Sequence, residues 1–312
     1  MLSKNQTSVK EFILIGFSNP PGVQIFLLTL FLLVYIMTIA GNIMIITIVQ
    51  LHQQLHTPMY LFLSHLALIE IGHMTNTIPK MLVDFLKENK VISVVGCFTQ
   101  LYFNLFLGLT ENFLLVLMAY DRYLAICKPL NYTTLMNARV CRHFALGCWI
   151  GGLLAPVFPV IMLCRLHFCE PNIINHFFCD LAPVLTLPCG NKSFTELSFF
   201  MCISSMVLGC FSLIVLSYTK IIATILRIPS PRGRHKAFST CSAHLVVVSI
   251  YYGSVMYMYV RPSVRDIRNS DKVVSVFYCV VTPFLNPFIY SLRNNKVHEA
   301  FKLMIGKIKA TI

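Results

Sequence analysis

Polar and apolar positions along this chain alternate in long blocks. Seven largely apolar stretches, 24–49, 58–80, 97–120, 144–163, 197–225, 237–260 and 273–292, are separated by shorter segments that carry most of the charge. Each is about 20 residues or longer, the length a helix needs to cross the hydrocarbon core of a bilayer. Open backbone is excluded there because its N–H and C=O groups would lack partners. The pattern therefore predicts an all-α membrane protein, with seven transmembrane helices bundled over 24–292. A leader over 1–23 and a tail over 293–312 flank them. Pro20-Pro21-Gly22 stops any helix ahead of the first span, and Pro58 stands at a helix start, where its missing N–H costs nothing. Pro229 to Gly233 (PSPRG) reads as a breaker-rich linker between the fifth and sixth spans. In the tail, bases from Lys296 to Lys309 alternate with Val297, Ala300, Phe301, Met304 and Ile305, the spacing of a short amphipathic helix lying on a membrane.

Composition agrees with this reading: 56% of residues are apolar and 12% charged, about half the charged share of soluble domains. A net charge of +13 raises nucleic acid as a partner. The bases, however, lie between apolar runs, where lipid headgroups and cytosol receive them, so membrane lipids and no nucleic acid are the expected contacts. Fourteen of the 25 Lys and Arg fall on the side of the C-terminus, among them Arg122, Lys128, Arg139, Arg142, Lys220, Arg227 and Lys236. That bias predicts an extracellular N-terminus and a cytoplasmic C-terminus. The start shows no cleavable signal peptide, so the first span is expected to act as the signal anchor. The sequons at Asn5 and Asn191 would face outside as glycosylation sites, whereas Asn131-Tyr132-Thr133 would face the cytosol.

Of twelve cysteines, Cys148, Cys202, Cys210 and Cys279 sit inside spans as small apolar residues. Cys164, Cys169, Cys179 and Cys189 lie in or beside the loop after the fourth span, and Cys97 opens the third. An oxidising face favours bridges among them, with connectivity left open. His65, His73 and His244 are scattered, and neither GxSxG nor HExxH is present, so no enzyme is expected. The lack of an internal repeat argues against a transporter built from inverted halves.

The third span ends in MAYDRYLAIC (118–127), which places Asp121 beside Arg122 where the helix leaves hydrocarbon. A paired charge is tolerated there, whereas a lone buried Arg costs several kcal/mol. LHTPMY (55–60), KAFSTCSAH (236–244) and PFLNPFIYSLRN (283–294) stand at the first inner loop, the start of span six and the end of span seven. NIINHFFCD (172–180) occupies the long loop. Together, over nearly the whole chain, these blocks resemble the vertebrate olfactory receptors, a branch of the rhodopsin-like (class A) G-protein-coupled receptors.

The resemblance implies a plasma-membrane receptor that binds an odorant from outside. It would activate a stimulatory, olfactory-type heterotrimeric G protein and so raise cyclic AMP. It also implies the bridges Cys97–Cys179 and Cys169–Cys189. A coupling switch would comprise Asp121, Arg122, Tyr123, Tyr218, Tyr290 and an Asn286-Pro287 hinge. By the same resemblance the ligand site would include Asn104, Leu105, Gly108, Leu109, Cys202, Ile203, Met206, Tyr252, Val255, Met256, Tyr259 and Cys279. Aminergic receptors carry an Asp near the place of Asn104, so a cationic amine lacks that anchor. Tyr259 or Asn104 would instead bond the oxygen of an alcohol, ketone, aldehyde or ester.

Glu70 and Glu111 lie deep in their spans, each costing roughly 2.5–3.5 kcal/mol if charged and unpaired. With Asn42 and Asn286 at similar depth, three readings stand: a bound sodium ion as allosteric ligand, a shared proton, or neutral hydrogen-bonded acids. No other cofactor is expected. The alternatives of function are a same-fold metabolite receptor in non-olfactory tissue and an ion channel or transporter using Glu70 and Glu111.

Overall fold

The computed structural model describes residues 9–17, 20–260 and 269–292, the side chains of 236, 269, 291 and 292 excepted. Asn5, the 293–312 tail and its expected amphipathic helix lie outside the described residues. The first helix, α1 (Pro21–Leu51), opens with proline at its first position. Pro58 does the same for α2 (Pro58–Phe85), which outruns the expected end at residue 80. An i,i+4 pair, Lys80 with Asp84, supports that extra turn. The Ser93 hydroxyl accepts the Gly96 N–H to cap α3 (Val94–Cys127), which continues through the whole of MAYDRYLAIC.

A short α4 (Tyr132–Leu135) precedes α5 (Ala138–Leu154), capped by Asn137 accepting from the Val140 N–H. The fourth span, expected as one stretch over 144–163, is α5 followed by α6 (Val157–Cys164). Pro156 stands at the break, where it has no N–H to give and its ring crowds the preceding turn. The long loop forms one turn of helix, α7 (Leu181–Leu185), before α8 (Ser193–Leu226).

The expected linker PSPRG is partly helical: α9 (Pro231–Tyr259) starts inside it, with Pro231 in the first turn and Ser230 accepting from the Gly233 N–H. Its proline sits at the one place in a helix that accommodates it. The last span is α10 (Asn269–Val276), a π-helical turn Phe277–Val281 and α11 (Thr282–Leu292).

Six stretches among the described residues are long and apolar enough to cross a membrane: α1, α3, α5 with α6, α8, α9 and Ser270–Tyr290. The 28-residue α2 is long enough but less apolar, carrying His65, Glu70, His73, Asn76 and Lys80. It packs between α1 and α3 and completes a seven-helix bundle. Large apolar side chains such as Ile25, Phe26, Leu33, Leu154 and Leu216 point outward, as lipid-facing surfaces require.

At the centre, α3 touches α2, α5, α6, α8 and α9. Its approach to α5 is close enough that a Cβ on Gly152 would lie 2.8 Å from the Thr110 backbone nitrogen. Small residues at crossings admit this packing in membranes.

At one end of the bundle, residues expected to form a polar leader are built into the fold. Strand β1 (Glu11–Leu14) pairs antiparallel with β2 (Val91–Ser93) and parallel with β3 (Ile173–Ile174). Alternation sends Phe12 and Leu14 inward, where the Phe12 ring meets Phe98 and Phe168 edge-on. Two buried residues in a four-residue strand are too short a signal to stand out beside seven long apolar blocks. The bridges Cys97–Cys179 and Cys169–Cys189 both form, with Cα atoms 5.4 and 5.9 Å apart. The first ties the head of α3 to the long loop.

Candidate functional site

Asn104, Leu105, Gly108 and Leu109 recur at i, i+1, i+4 and i+5, so they share one face of α3. That face borders a cavity of about 40 Å³, with Glu111 below it, His73 from α2, Ile203 and Val207 from α8, Tyr251, Val255 and Tyr259 from α9, and Tyr278 from the π-helical turn. Seven residues of the expected ligand set are therefore brought together: Asn104, Leu105, Gly108, Leu109, Ile203, Val255 and Tyr259.

The other five lie elsewhere. Tyr252 donates to Asn112 Oδ1 at 2.5 Å and packs against Phe211. Cys279 is buried in an apolar cluster with Phe31 and Met74. Cys202, Met206 and Met256 are half-buried outside the lining. His73, Val207, Tyr251 and Tyr278 line the cavity without having been expected there, and Glu111 was expected at an ion site. Tyr251 and Tyr278 each neighbour an expected residue. One residue is a rotation of about 100° on a helix, and the π turn inserts a further register shift.

The cavity wall is tied to the loop above by a chain of hydrogen bonds. Asn104 Nδ2 donates to the Tyr278 hydroxyl at 3.3 Å, the Tyr278 and Tyr259 hydroxyls are 3.1 Å apart, and Tyr259 donates to Asp180 Oδ1 at 2.7 Å. Asp180 also accepts the Leu181 N–H at 2.8 Å as the cap of α7. Burial pushes its carboxyl up to about 6, against the pull of the Tyr259 hydroxyl and the Leu181 N–H. Nearby, burial and then Lys272 bring His176 down to about 3, so the imidazole that meets Ser275 Oγ at 3.1 Å is neutral at physiological pH. Gln100 fastens the same region, accepting the Cys179 N–H at 2.9 Å and donating to the Asn76 carbonyl at 2.8 Å.

Deeper in the bundle, Asn286 Nδ2 donates to Glu70 Oε1, and Asn42 Nδ2 donates to the Thr38 carbonyl at 3.1 Å. Glu70 Oε2, Asn42 Oδ1, Asn286 Oδ1 and the Tyr290 hydroxyl are buried without a hydrogen bond. Glu111 lies instead beside His73, with Oε2 3.8 Å from Nε2 and no hydrogen bond at either ring nitrogen. Among the described residues no group of three or more His, Cys, Asp or Glu is arranged to hold a metal ion. Pro287 lies against α1, where a Cβ on Gly41 would come within 3.3 Å of its ring.

At the far end of α3 the Arg122 guanidinium donates to Asp121 Oδ2 through Nη2 at 2.6 Å and Nε at 3.1 Å. Tyr132 donates to the other oxygen, Oδ1, at 2.8 Å, which fully engages a carboxylate with no exposed surface. The cost of burying that acid is offset by these charge-assisted bonds. Tyr123 stacks on Tyr120, and the Tyr218 hydroxyl meets His244 Nδ1 at 2.8 Å.

The sequence pattern of the family described as Olfactory receptor matches residues 31–307. The chain is 50% identical over 304 residues to olfactory receptor 6N1 of Homo sapiens, covering 97% of both chains. It is 46% identical over 305 residues to olfactory receptor 6C4 of Homo sapiens, covering 98% of this chain and 99% of that one. Against olfactory receptor 5P60 of Mus musculus, identity is 46% over 303 residues, covering 97% and 94%.

Proposed function

The chain belongs to the olfactory receptor family, and from that premise we propose that it binds a small, mostly apolar volatile and signals through a stimulatory heterotrimeric G protein to raise cyclic AMP. The observation that carries this reading is the cavity between α2, α3, α8, α9 and the π turn, whose walls are apolar with a few convergent polar groups. At about 40 Å³ it holds a few waters, so a volatile enters by turning lining side chains aside.

In this reading the multi-pass chain sits in the plasma membrane with the disulfide end outside and Arg122 inside. Asn191, exposed beside α8, is then open to glycosylation. Ligand binding would release Arg122 from Asp121 to meet the G protein, with Tyr123, Tyr218, Tyr290 and the Asn286-Pro287 break taking part in the rearrangement. The unpartnered oxygens of Glu70, Asn42, Asn286 and Tyr290 support sodium as an allosteric ligand near Glu70, since hard cations take oxygen donors. Glu111, turned toward His73, supports a role at the cavity instead.

The test is cyclic AMP in transfected cells exposed to a panel of volatiles, with wild type and Arg122→Ala labelled at the surface through an N-terminal tag. A volatile response lost in an equally exported mutant supports the reading. A response that survives in Arg122→Ala removes the latch. Silence of a well-exported wild type overturns the odorant assignment.

A further inference from the structure

The direction of each hydrogen bond around the cavity is set by the carboxylate at its end. An ionised carboxylate only accepts, so Tyr259 gives its single proton to Asp180 Oδ1, 2.7 Å away. Tyr278, 3.1 Å from the Tyr259 oxygen, turns its own proton toward Tyr259 and Asp180. The Tyr278 oxygen is then left to accept, and it takes the Asn104 Nδ2 proton at 3.3 Å. This orients the Asn104 amide: its nitrogen faces Tyr278, and its Oδ1 is buried without a hydrogen bond.

Tyr251 is committed in the same sense, donating to the Gly108 carbonyl at 2.7 Å. His73 Nε2 lies 3.8 Å from Glu111 Oε2, and neither ring nitrogen of this histidine has a hydrogen bond. The three tyrosine protons of the wall are therefore turned toward protein acceptors, and at Asn104 what remains for a ligand is the accepting capacity of Oδ1.

We infer that the cavity selects a hydrogen-bond donor, an alcohol or phenol whose O–H is received by Asn104 Oδ1, over a ketone, ester or ether of the same skeleton. The inference rests on the odorant-receptor reading and narrows its ligand class. Its physical basis is the cost of a mismatch. An acceptor-only ligand leaves Asn104 Oδ1 unpaired and sets its own oxygen against it, and a buried site rejects analogues that leave its polar groups unmatched.

The experiment measures cyclic AMP responses of the full-length receptor to a series of aliphatic and aromatic alcohols. Each is paired with the methyl ether and the ketone of the same skeleton, and a primary amine of that skeleton is added. Wild type is expected to prefer alcohols by about tenfold in potency. Asn104→Leu is expected to bring alcohol and ether within about twofold, chiefly by weakening the alcohol. Tyr278→Phe removes the oxygen that orients the amide, so ketones gain on alcohols. Surface labelling accompanies every assay, and Tyr278→Phe decides if Asn104→Leu is not exported.

Ketones or ethers as potent as alcohols on wild type would overturn the inference and leave the odorant reading standing. So would an alcohol preference that survives in Asn104→Leu. An amine more potent than the alcohol would overturn it in favour of Glu111 as an anionic anchor. No response to any compound from an exported wild type would remove the odorant reading and the inference together.

Discussion

At the end of the bundle that carries the long loop, α3 is joined to that loop by the Cys97–Cys179 bridge, by Gln100 bonded to the Cys179 backbone, and by the relay from Asn104 to Asp180. At the other end the same helix relies on Asp121 gripping Arg122 and Tyr132, with the Tyr218–His244 bond between α8 and α9 nearby. Both ends are well packed, so they differ in reversibility rather than in density. A covalent tie survives every thermal opening, whereas an ion pair is undone once something else satisfies its members. The end that shapes a cavity is held permanently, and the end read here as the signalling surface is held by bonds that can be exchanged.

The largest expected effect comes from cutting the covalent tie. Cys97→Ser opens a bridge that spans 82 residues of sequence, and chain entropy alone makes that worth about 4 kcal/mol. Thermal unfolding of the detergent-purified receptor should show the loss, with surface export falling in parallel. Equal unfolding of mutant and wild type would mean that the hydrogen bonds alone hold the loop.

Asp121→Asn should come next. It leaves Arg122 partly buried beside a neutral amide, a cost on the order of 3 kcal/mol when one member of a buried pair is removed. The expected readout is a several-fold rise in ligand-independent cyclic AMP at unchanged ligand preference. A fall in basal signal would show that the pair supports the active form instead.

Asp180 makes the loop end pH-sensitive. Burial holds its carboxyl near 6 against an ordinary value of 3.8, so the folded state keeps a proton over a range where the unfolded chain has released it. Its contribution to stability is therefore greatest below about pH 4, falls by about 3 kcal/mol as pH rises to 6, and is flat above. Unfolding temperatures from pH 4 to 7 should show that slope in the wild type relative to Asp180→Asn, and parallel curves would refute it.

The smallest effect belongs to the exchangeable end. Tyr218→Phe removes one hydrogen bond to His244, worth about 1 kcal/mol. It should shift basal and maximal cyclic AMP modestly while leaving unfolding temperature nearly unchanged. A loss as large as that of Cys97→Ser would erase the contrast between the two ends.

Much of this architecture was legible without coordinates because it depends on one segment at a time. A block of about 20 apolar residues must become a helix in a bilayer whatever its neighbours do. Local chemistry likewise placed Pro58 at a helix start, although it misread Pro231 as a breaker, since proline reads alike in a loop and in a first turn. The paired Asp121 and Arg122 were visible as sequence neighbours. The two disulfide pairings were available only through resemblance, as spacing allows several.

What tertiary structure alone decided are relations between segments. Whether Tyr251 or Tyr252 faces the cavity depends on a rotation of about 100° per residue, which the packing of α9 against α3, α8 and α11 sets. Tyr278 displaces Cys279 from the cavity because a π turn shifts the register of the last span. Phe12 and Leu14 acquire a role only when residues 91–93 and 173–174 arrive beside them. The direction of the Asn104 amide depends on Asp180, two hydroxyls away and 76 positions along the chain. Hydrophobic length is a property each segment carries into the membrane by itself. Rotation, register and the route of a proton exist only between segments, once they have packed.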